Sequence, residues 1–224
     1  MIKIQTFESS SSGNLHLIET GDKKLLIECG LRFKKIKQYL DFDLNLSGCL
    51  LSHCHLDHSY SAKHIMKAGI NLYCSKETAG YLKLKSHRLK VIEPCSFMVD
   101  GFKCFAFKTN HDTPGALGFL IDIEDSRILF ATDTGSMPYN FPGLTNIMIE
   151  CNYSERSMQD LDPLFIKRVH NTHMGLDDTL KFLKRNDLSK VQEIRLIHLS
   201  SRNADADYFK SEIAKLTGKP VVIS

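Results

Sequence analysis

The segment SHCHLDHS, residues 52–59, gathers four potential metal ligands, His53, His55, Asp57 and His58, into six residues. Imidazole nitrogens and carboxylate oxygens are common donors to zinc, manganese and iron. Residues two apart in extended chain face the same side, so His53 and His55 can grip one ion. If the chain then turns directly into a helix, Asp57 and His58 can face a second. Two ions about 3.5–4 Å apart clamp both the attacking and the leaving oxygen of a displacement. A surface histidine tract has the same residue types, but such tracts do not sit directly after an apolar strand, as this one follows GCLL at 48–51.

Two ions need more than four ligands, and further candidates stand at the ends of apolar runs. His111 closes FKCFAFKTN, Asp133 follows RILFAT, and His198 lies in EIRLIHLS. Each alone reads as a turn or capping residue. Their recurrence at strand ends is what argues for convergence, and a carboxylate such as Asp133 has two oxygens with which to bridge two ions.

The elements that must position these residues follow from periodicity. Residues 2–7, 14–19 and 23–28 alternate or run apolar between Ser/Gly and Gly-Asp turns, which predicts an opening antiparallel meander. Leu31, Phe33, Ile36 and Leu40 keep helical spacing over 31–40. GCLLS at 48–52 is a short buried strand, with a helix from about Ser61 to Lys67 after the histidine cluster. Four strands are expected in succession over 102–110, 116–124, 127–134 and 146–152. Helices near 160–169 and 177–185, the strand EIRLIHL, a helix near 205–216 and the strand PVVIS complete the chain. Strands first, then strands interleaved with helices, suit two mixed sheets with helices outside.

A chain of 224 residues is expected to form one domain, residues 1–224, with 42% hydrophobic and 25% charged residues, ordinary globular composition. No apolar run approaches the roughly 20 residues of a membrane span, and the N-terminus has no signal-like layout. Seven scattered cysteines without a CxxC pair suit reduced thiols, so a cytoplasmic location and no membrane partner are expected. The net charge of +3 is too small to identify a nucleic-acid partner. Lys83, Lys85, His87, Arg88 and Lys90 form a local basic run that reads either as a solvated edge or as a phosphate-tracking patch. SSSSGN at 9–14 is either a flexible turn or a loop offering hydroxyls and backbone N–H groups to a phosphate, with Ser12 and Asn14 as candidate contacts.

The HxHxDH motif followed by a later His, Asp and His resembles the metallo-β-lactamase superfamily. SSSSGN at 9–14, LLIECGLRFKKI at 25–36, HDTPGALGFLI at 111–121, ATDTG at 131–135, MIECNYSERSM at 148–158 and IHLSSRN at 197–203 resemble its YycJ (WalJ) subgroup of proposed DNA exonucleases. HLSSRN is also similar to the end of ribonuclease Z.

The resemblance implies the metallo-β-lactamase fold, a four-layer αβ/βα sandwich of two mixed β-sheets. It implies two divalent ions, zinc or manganese, with His53, His55 and His111 on one, Asp57, His58 and His198 on the other, and Asp133 bridging. A water shared by two such ions loses its proton near neutral pH, its pKa falling from about 15.7 to about 7, and Asp57 would orient the hydroxide. His173, in VHNTHMGLDDTL, resembles the general-acid histidine of ribonuclease Z in position. A capping or surface histidine is the plainer alternative for it, and His170 competes. Ser200 joins Ser12 and Asn14 as a candidate substrate contact.

The implied activity is a phosphodiesterase acting on nucleic acid, DNA exonuclease-like. Hydrolysis of cyclic nucleotides is the alternative, and thioester or lactam hydrolysis the third reading. A homodimer is a further expectation, since related phosphodiesterases often dimerise. Three departures stand out: Glu28 where the family usually has Asp, Ser59-Tyr60-Ser61 in place of a Gly-containing run, and His173-Met174-Gly175 in place of His-Leu-Ser.

Overall fold

Alternating apolar residues in KIQTFESS, GNLHLIET and KKLLI form β1 (Lys3–Ser10), β2 (Gly13–Thr20) and β3 (Lys23–Ile27), an antiparallel meander joined by tight turns. The computed structural model describes residues 2–159 and 161–224. Its contacts divide the chain into two units: one runs up to Lys108 and includes Thr113–Leu117, the other comprises Thr109–Asp112 and Gly118–Ser224.

In the first unit α1 (Phe33–Tyr39) buries Ile36 and returns the chain to β4 (Gly48–Leu50), which pairs parallel with β3. Two short helices follow, α2 (Leu56–Ser59) and α3 (Ala62–Lys67). Then come β5 (Leu72–Cys74), α4 (Lys76–Tyr81) and β6 (Leu89–Val91). Strands β1 to β6 lie in sequence order in one mixed sheet. Its apolar face packs Leu15, Leu17, Leu26, Leu51 and Leu72 against Ile36 and Ile65 of the helices. The hairpin of β7 (Ser96–Val99) and β8 (Phe102–Lys108) belongs to the same unit.

β9 (Leu117–Ile123), in the second unit from Gly118 onward, runs antiparallel to β10 (Ser126–Ala131). From β10 onward β11 (Asn146–Glu150), β12 (Glu193–Ile197) and β13 (Val221–Ile223) add in parallel. Parallel neighbours need long crossover connections: residues 132–145 carry β10 to β11 without a helix, and helices carry the crossovers from β11 to β12 and from β12 to β13. Short α5 (Glu155–Met158) precedes α6 (Pro163–Thr172), which starts at Pro163 with the Asp162 carboxylate accepting from the N–H groups of Leu164 and Phe165. Helix α7 (Leu176–Arg185) carries Asp177 and Asp178 in its first turn and Lys184 and Arg185 in its last, the order that the helix dipole favours. Helix α8 (Ala206–Thr217) is capped by Asp205 and stopped by left-handed Gly218.

The two mixed sheets with helices are those expected. The helix expected near 160–169 is displaced toward the C-terminus because Pro163 and its cap set the start. Its first expected residue, Asp160, lies outside the described residues.

Candidate metal centre

The expected ligands fall into two groups, one in each unit. In the first unit the chain leaves β4 extended, passes His53 and His55, and turns into α2 at His55. His53 Nε2 stands 3.1 Å from His55 Nδ1. Two nitrogens each about 2.0–2.1 Å from one tetrahedral ion lie roughly 3.3 Å apart, so this spacing fits a shared ion. His53 Nδ1 faces Ser52 Oγ at 2.8 Å, which leaves Nε2 to the ligand role. On α2, Asp57 Oδ2 lies 3.3 Å from His58 Nε2, and the His53 and His58 rings are 4.2 Å apart.

Buried groups brace this segment. Glu28 Oε1 is 3.6 Å from His58 Nδ1, and the same carboxylate accepts from Ser52 N–H. Glu28 thus holds the start of the segment through Ser52 and sets its carboxylate beside His58. Asn14, 1% exposed, donates from Nδ2 to the carbonyls of Ser10 and Asp57 and stands 3.2 Å from His58 Nε2. Its amide therefore holds the segment that carries the histidine cluster. Ser12 lies exposed in the β1–β2 turn. Gly30 must be glycine here: a Cβ would come 1.6 Å from the Asp57 carbonyl oxygen.

In the second unit His111 is tied to the loop after β10 by Asn110, which donates from N–H to Thr134 Oγ1 and accepts from Gly135 N–H. His111 Nδ1 stands 3.1 Å from the Thr172 carbonyl oxygen, so Nδ1 carries the hydrogen and Nε2 keeps its lone pair. Burial lowers the His111 pKa against the pull of Asp133 and Asp112, and so favours the neutral imidazole, the form able to ligate a metal. Asp133 turns one oxygen to each side: Oδ1 is 3.1 Å from His198 Nδ1, and Oδ2 is 3.7 Å from His111 Nε2. A bridging carboxylate has that disposition.

Glu150, unforeseen as a site residue, ends β11 fully buried. Its carboxylate accepts from the N–H groups of Thr134 and Met174, lies 3.3 Å from His198 Nδ1, and meets His173 Nδ1 at 2.5 Å. Burial opposes its charge, yet His173 and His198 outweigh burial and lower its pKa. The counterpart holds for His173: burial lowers its pKa, but the Glu150 carboxylate prevails and raises it. Asp133, Glu150, His173 and His198 each offer a ligand atom, all within 4.8 Å of one another. This imidazole and carboxylate set suits a divalent ion.

His173 is the C-cap residue of α6 by its backbone, while its side chain, 20% exposed, turns to Glu150. His170 goes elsewhere: it stacks on Tyr153 at 5.1 Å and faces Glu155. Ser200 Oγ accepts from the N–H groups of Arg202 and Asn203 and so shapes the loop after β12. The seven cysteines are free, and all but Cys95 are buried. Among the described residues no helix is long and apolar enough to cross a membrane.

The model of the beta-lactamase superfamily domain matches residues 24–198, a span from β3 through His198. The chain belongs to this superfamily. As a member of it, the chain is a hydrolase of the metallo-β-lactamase fold. It is 26% identical over 233 aligned positions to exodeoxyribonuclease WalJ of Streptococcus pneumoniae, covering 90% of this chain and 82% of that one. Identity to exodeoxyribonuclease YycJ of Bacillus anthracis is 22%, over 83% of this chain and 87% of the relative. Among solved structures, the metallo-β-lactamase fold protein YhfI of Bacillus subtilis superposes with a TM-score of 0.77 at 19% identity, covering 100% of this chain and 97% of YhfI.

Proposed function

We propose that this superfamily member is a metal-dependent phosphodiesterase of nucleic acid, acting as a DNA exonuclease. In this reading the two ligand groups would serve one centre of two divalent ions, zinc or manganese, as the family resemblance implies. His53, His55 and His111 would hold one ion, Asp57, His58 and His198 the other, with the Asp133 carboxylate available to both. When bound, such ions activate water and neutralise charge developing on phosphoryl oxygens. The names of the WalJ and YycJ relatives support the substrate class.

One observation carries the reading: a partly exposed imidazole, His173, is held by the buried Glu150 carboxylate beside Asp133 and His198. With Nδ1–H given to Glu150, protonation places the transferable proton on Nε2. Glu150 favours the charged imidazolium, so His173 can give that proton to a departing alkoxide oxygen. A nucleotide leaving group needs such a donor, because an alkoxide is a poor leaving group unless protonated.

A panel assay on protein purified without chelator tests this, using end-labelled DNA and RNA, cyclic mononucleotides, bis-p-nitrophenyl phosphate and a β-lactam. DNA should be shortened from an end, with activity lost to chelator and restored by manganese or zinc. Turnover of cyclic mononucleotides alone would replace the nuclease reading with a small-substrate one. Lactam hydrolysis outrunning phosphodiester hydrolysis would overturn the substrate class.

A further inference from the structure

Charge is not spread evenly along this chain. Residues 63–90 hold seven Lys/Arg against the single Glu77, a local balance of +6; the whole chain carries +3, so the remainder sums to −3. Within the first unit this stretch folds so that α3 and the segment after α4 face each other across a cleft of about 400 Å³. Lys63 and Lys67 line it from α3, and Lys83, Lys85 and His87 from the other side, with buried Met66 beneath.

Some lysines elsewhere on the surface have carboxylate partners, as Lys24 has Asp43, Lys181 has Asp178 and Lys215 has Glu212, and others do not. Among the described residues the four cleft lysines have no ion pair. Ammonium groups gathered on one concavity repel each other, and a concave wall focuses their potential. The loop presenting two of them is anchored: Leu84 is buried and its N–H donates to the Ala79 carbonyl, while Lys83 adopts a left-handed φ of 52°. Tyr81, 73% exposed, stands two residues before Lys83 and offers an aromatic face of the kind on which bases stack.

Resting on the nuclease reading for its substrate, we propose that this cleft is a track for the backbone phosphates of single-stranded nucleic acid. Lysine ammonium groups act as point charges on phosphate and read no sequence. Their concave arrangement suits a strand better than a flat lipid surface. Lys63 follows the expected ligand His58 by five residues in the same unit, so the two lie within about 18 Å along the chain. At about 3.4 Å per nucleotide in a stacked strand, the cleft is reached within roughly five nucleotides of the scissile phosphate.

The test compares metal-loaded wild type with the K63Q/K67Q/K83Q/K85Q variant on a labelled 20-nucleotide phosphorothioate DNA, which resists hydrolysis. Affinity should fall about 10- to 100-fold, and the slope of log affinity against log salt should shrink by up to about 2.8, at about 0.7 for each phosphate no longer neutralised. For ordinary DNA, KM should rise with kcat unchanged, and bis-p-nitrophenyl phosphate should be hydrolysed as by wild type. The matching Lys→Arg variant should retain wild-type affinity. Trimming below roughly six nucleotides should remove the difference between wild type and variant.

Unchanged affinity and salt slope in a variant that melts like wild type would overturn the track. So would loss of binding to anionic phospholipid vesicles with oligonucleotide binding intact, which assigns the cleft to lipid. If the quadruple variant fails to fold, Lys85→Gln and Lys63→Gln alone are read, each expected to lower the slope by about 0.7. Lysine-dependent binding without any hydrolysis of DNA would sink the nuclease reading and leave the track standing. Hydrolysis of DNA indifferent to the four lysines would do the reverse.

Discussion

His173 and Glu150 meet through one short hydrogen bond, yet only the histidine was legible in the sequence. A Glu closing the apolar run NIMIE looks like the polar end of a strand, and its burial becomes visible only when His173 and His198 are brought to it from residues 23 and 48 positions on. The closeness of His53 to His55 and of Asp57 to His58 was legible because the four are local, within six residues. The small polar loop SSSSGN could not announce that the Asn14 amide donates to the carbonyls of Ser10 and Asp57, because those contacts depend on tertiary packing. If His173 donates the leaving-group proton, His173→Ala should keep its metal and its melting temperature yet lose about 10²- to 10⁴-fold in rate on DNA. The loss should be much smaller with bis-p-nitrophenyl phosphate, whose phenolate departs unprotonated. Losing a merely capping residue would cost about 1 kcal/mol of stability and touch both substrates alike. An equal, small effect on the two would return His173 to a structural role at the end of α6.

Strands and helices were readable where the hydrophobic period was long, as in β8 to β12 and α7, and less so where a few residues carry an element. The four-residue α2 has no periodicity to reveal it, and was expected only because two ligands needed to change direction there. Left-handed backbone at strand ends was invisible in advance. Glu28 (φ 64°), Asp133 (φ 46°) and His198 (φ 52°) each kink the chain just past a strand. Non-glycine residues held there cost about 1–3 kcal/mol and tend to cluster at functional sites. The clamp on α2 is similarly non-local: Cys29 N–H donates to the His58 carbonyl while Gly30 lies against that of Asp57. Gly30→Ala should therefore push α2 away from Cys29, cost about 1–3 kcal/mol, and weaken metal binding with it. Thermal melting and metal content measured on the same preparation check this. A variant that melts like wild type and keeps its metal would show that α2 is positioned by something other than this close approach.

Each unit brings its own donors, and the quartet Asp133, Glu150, His173 and His198 is rich enough to hold an ion within the second unit alone. The centre proposed above draws its donors from both units instead, and the two arrangements respond differently to a change made in one unit only. A ligand that binds only the native state stabilises it by RT ln(1 + [L]/Kd), so a tenfold weaker site forfeits about 1.4 kcal/mol at fixed excess metal. His55→Ala removes a donor from the first unit and leaves every donor of the second in place. With a shared centre, the variant should bind fewer than the two ions expected of wild type. Added zinc should then also protect residues 132–135 and 197–199 of the second unit less well from hydrogen exchange than in wild type. With separate centres, His55→Ala would lose protection around residues 53–58 only, and the second unit would respond to zinc as before. That second pattern would refute the seven-ligand centre while leaving the quartet as a metal site, with His173 recast from proton donor to ligand.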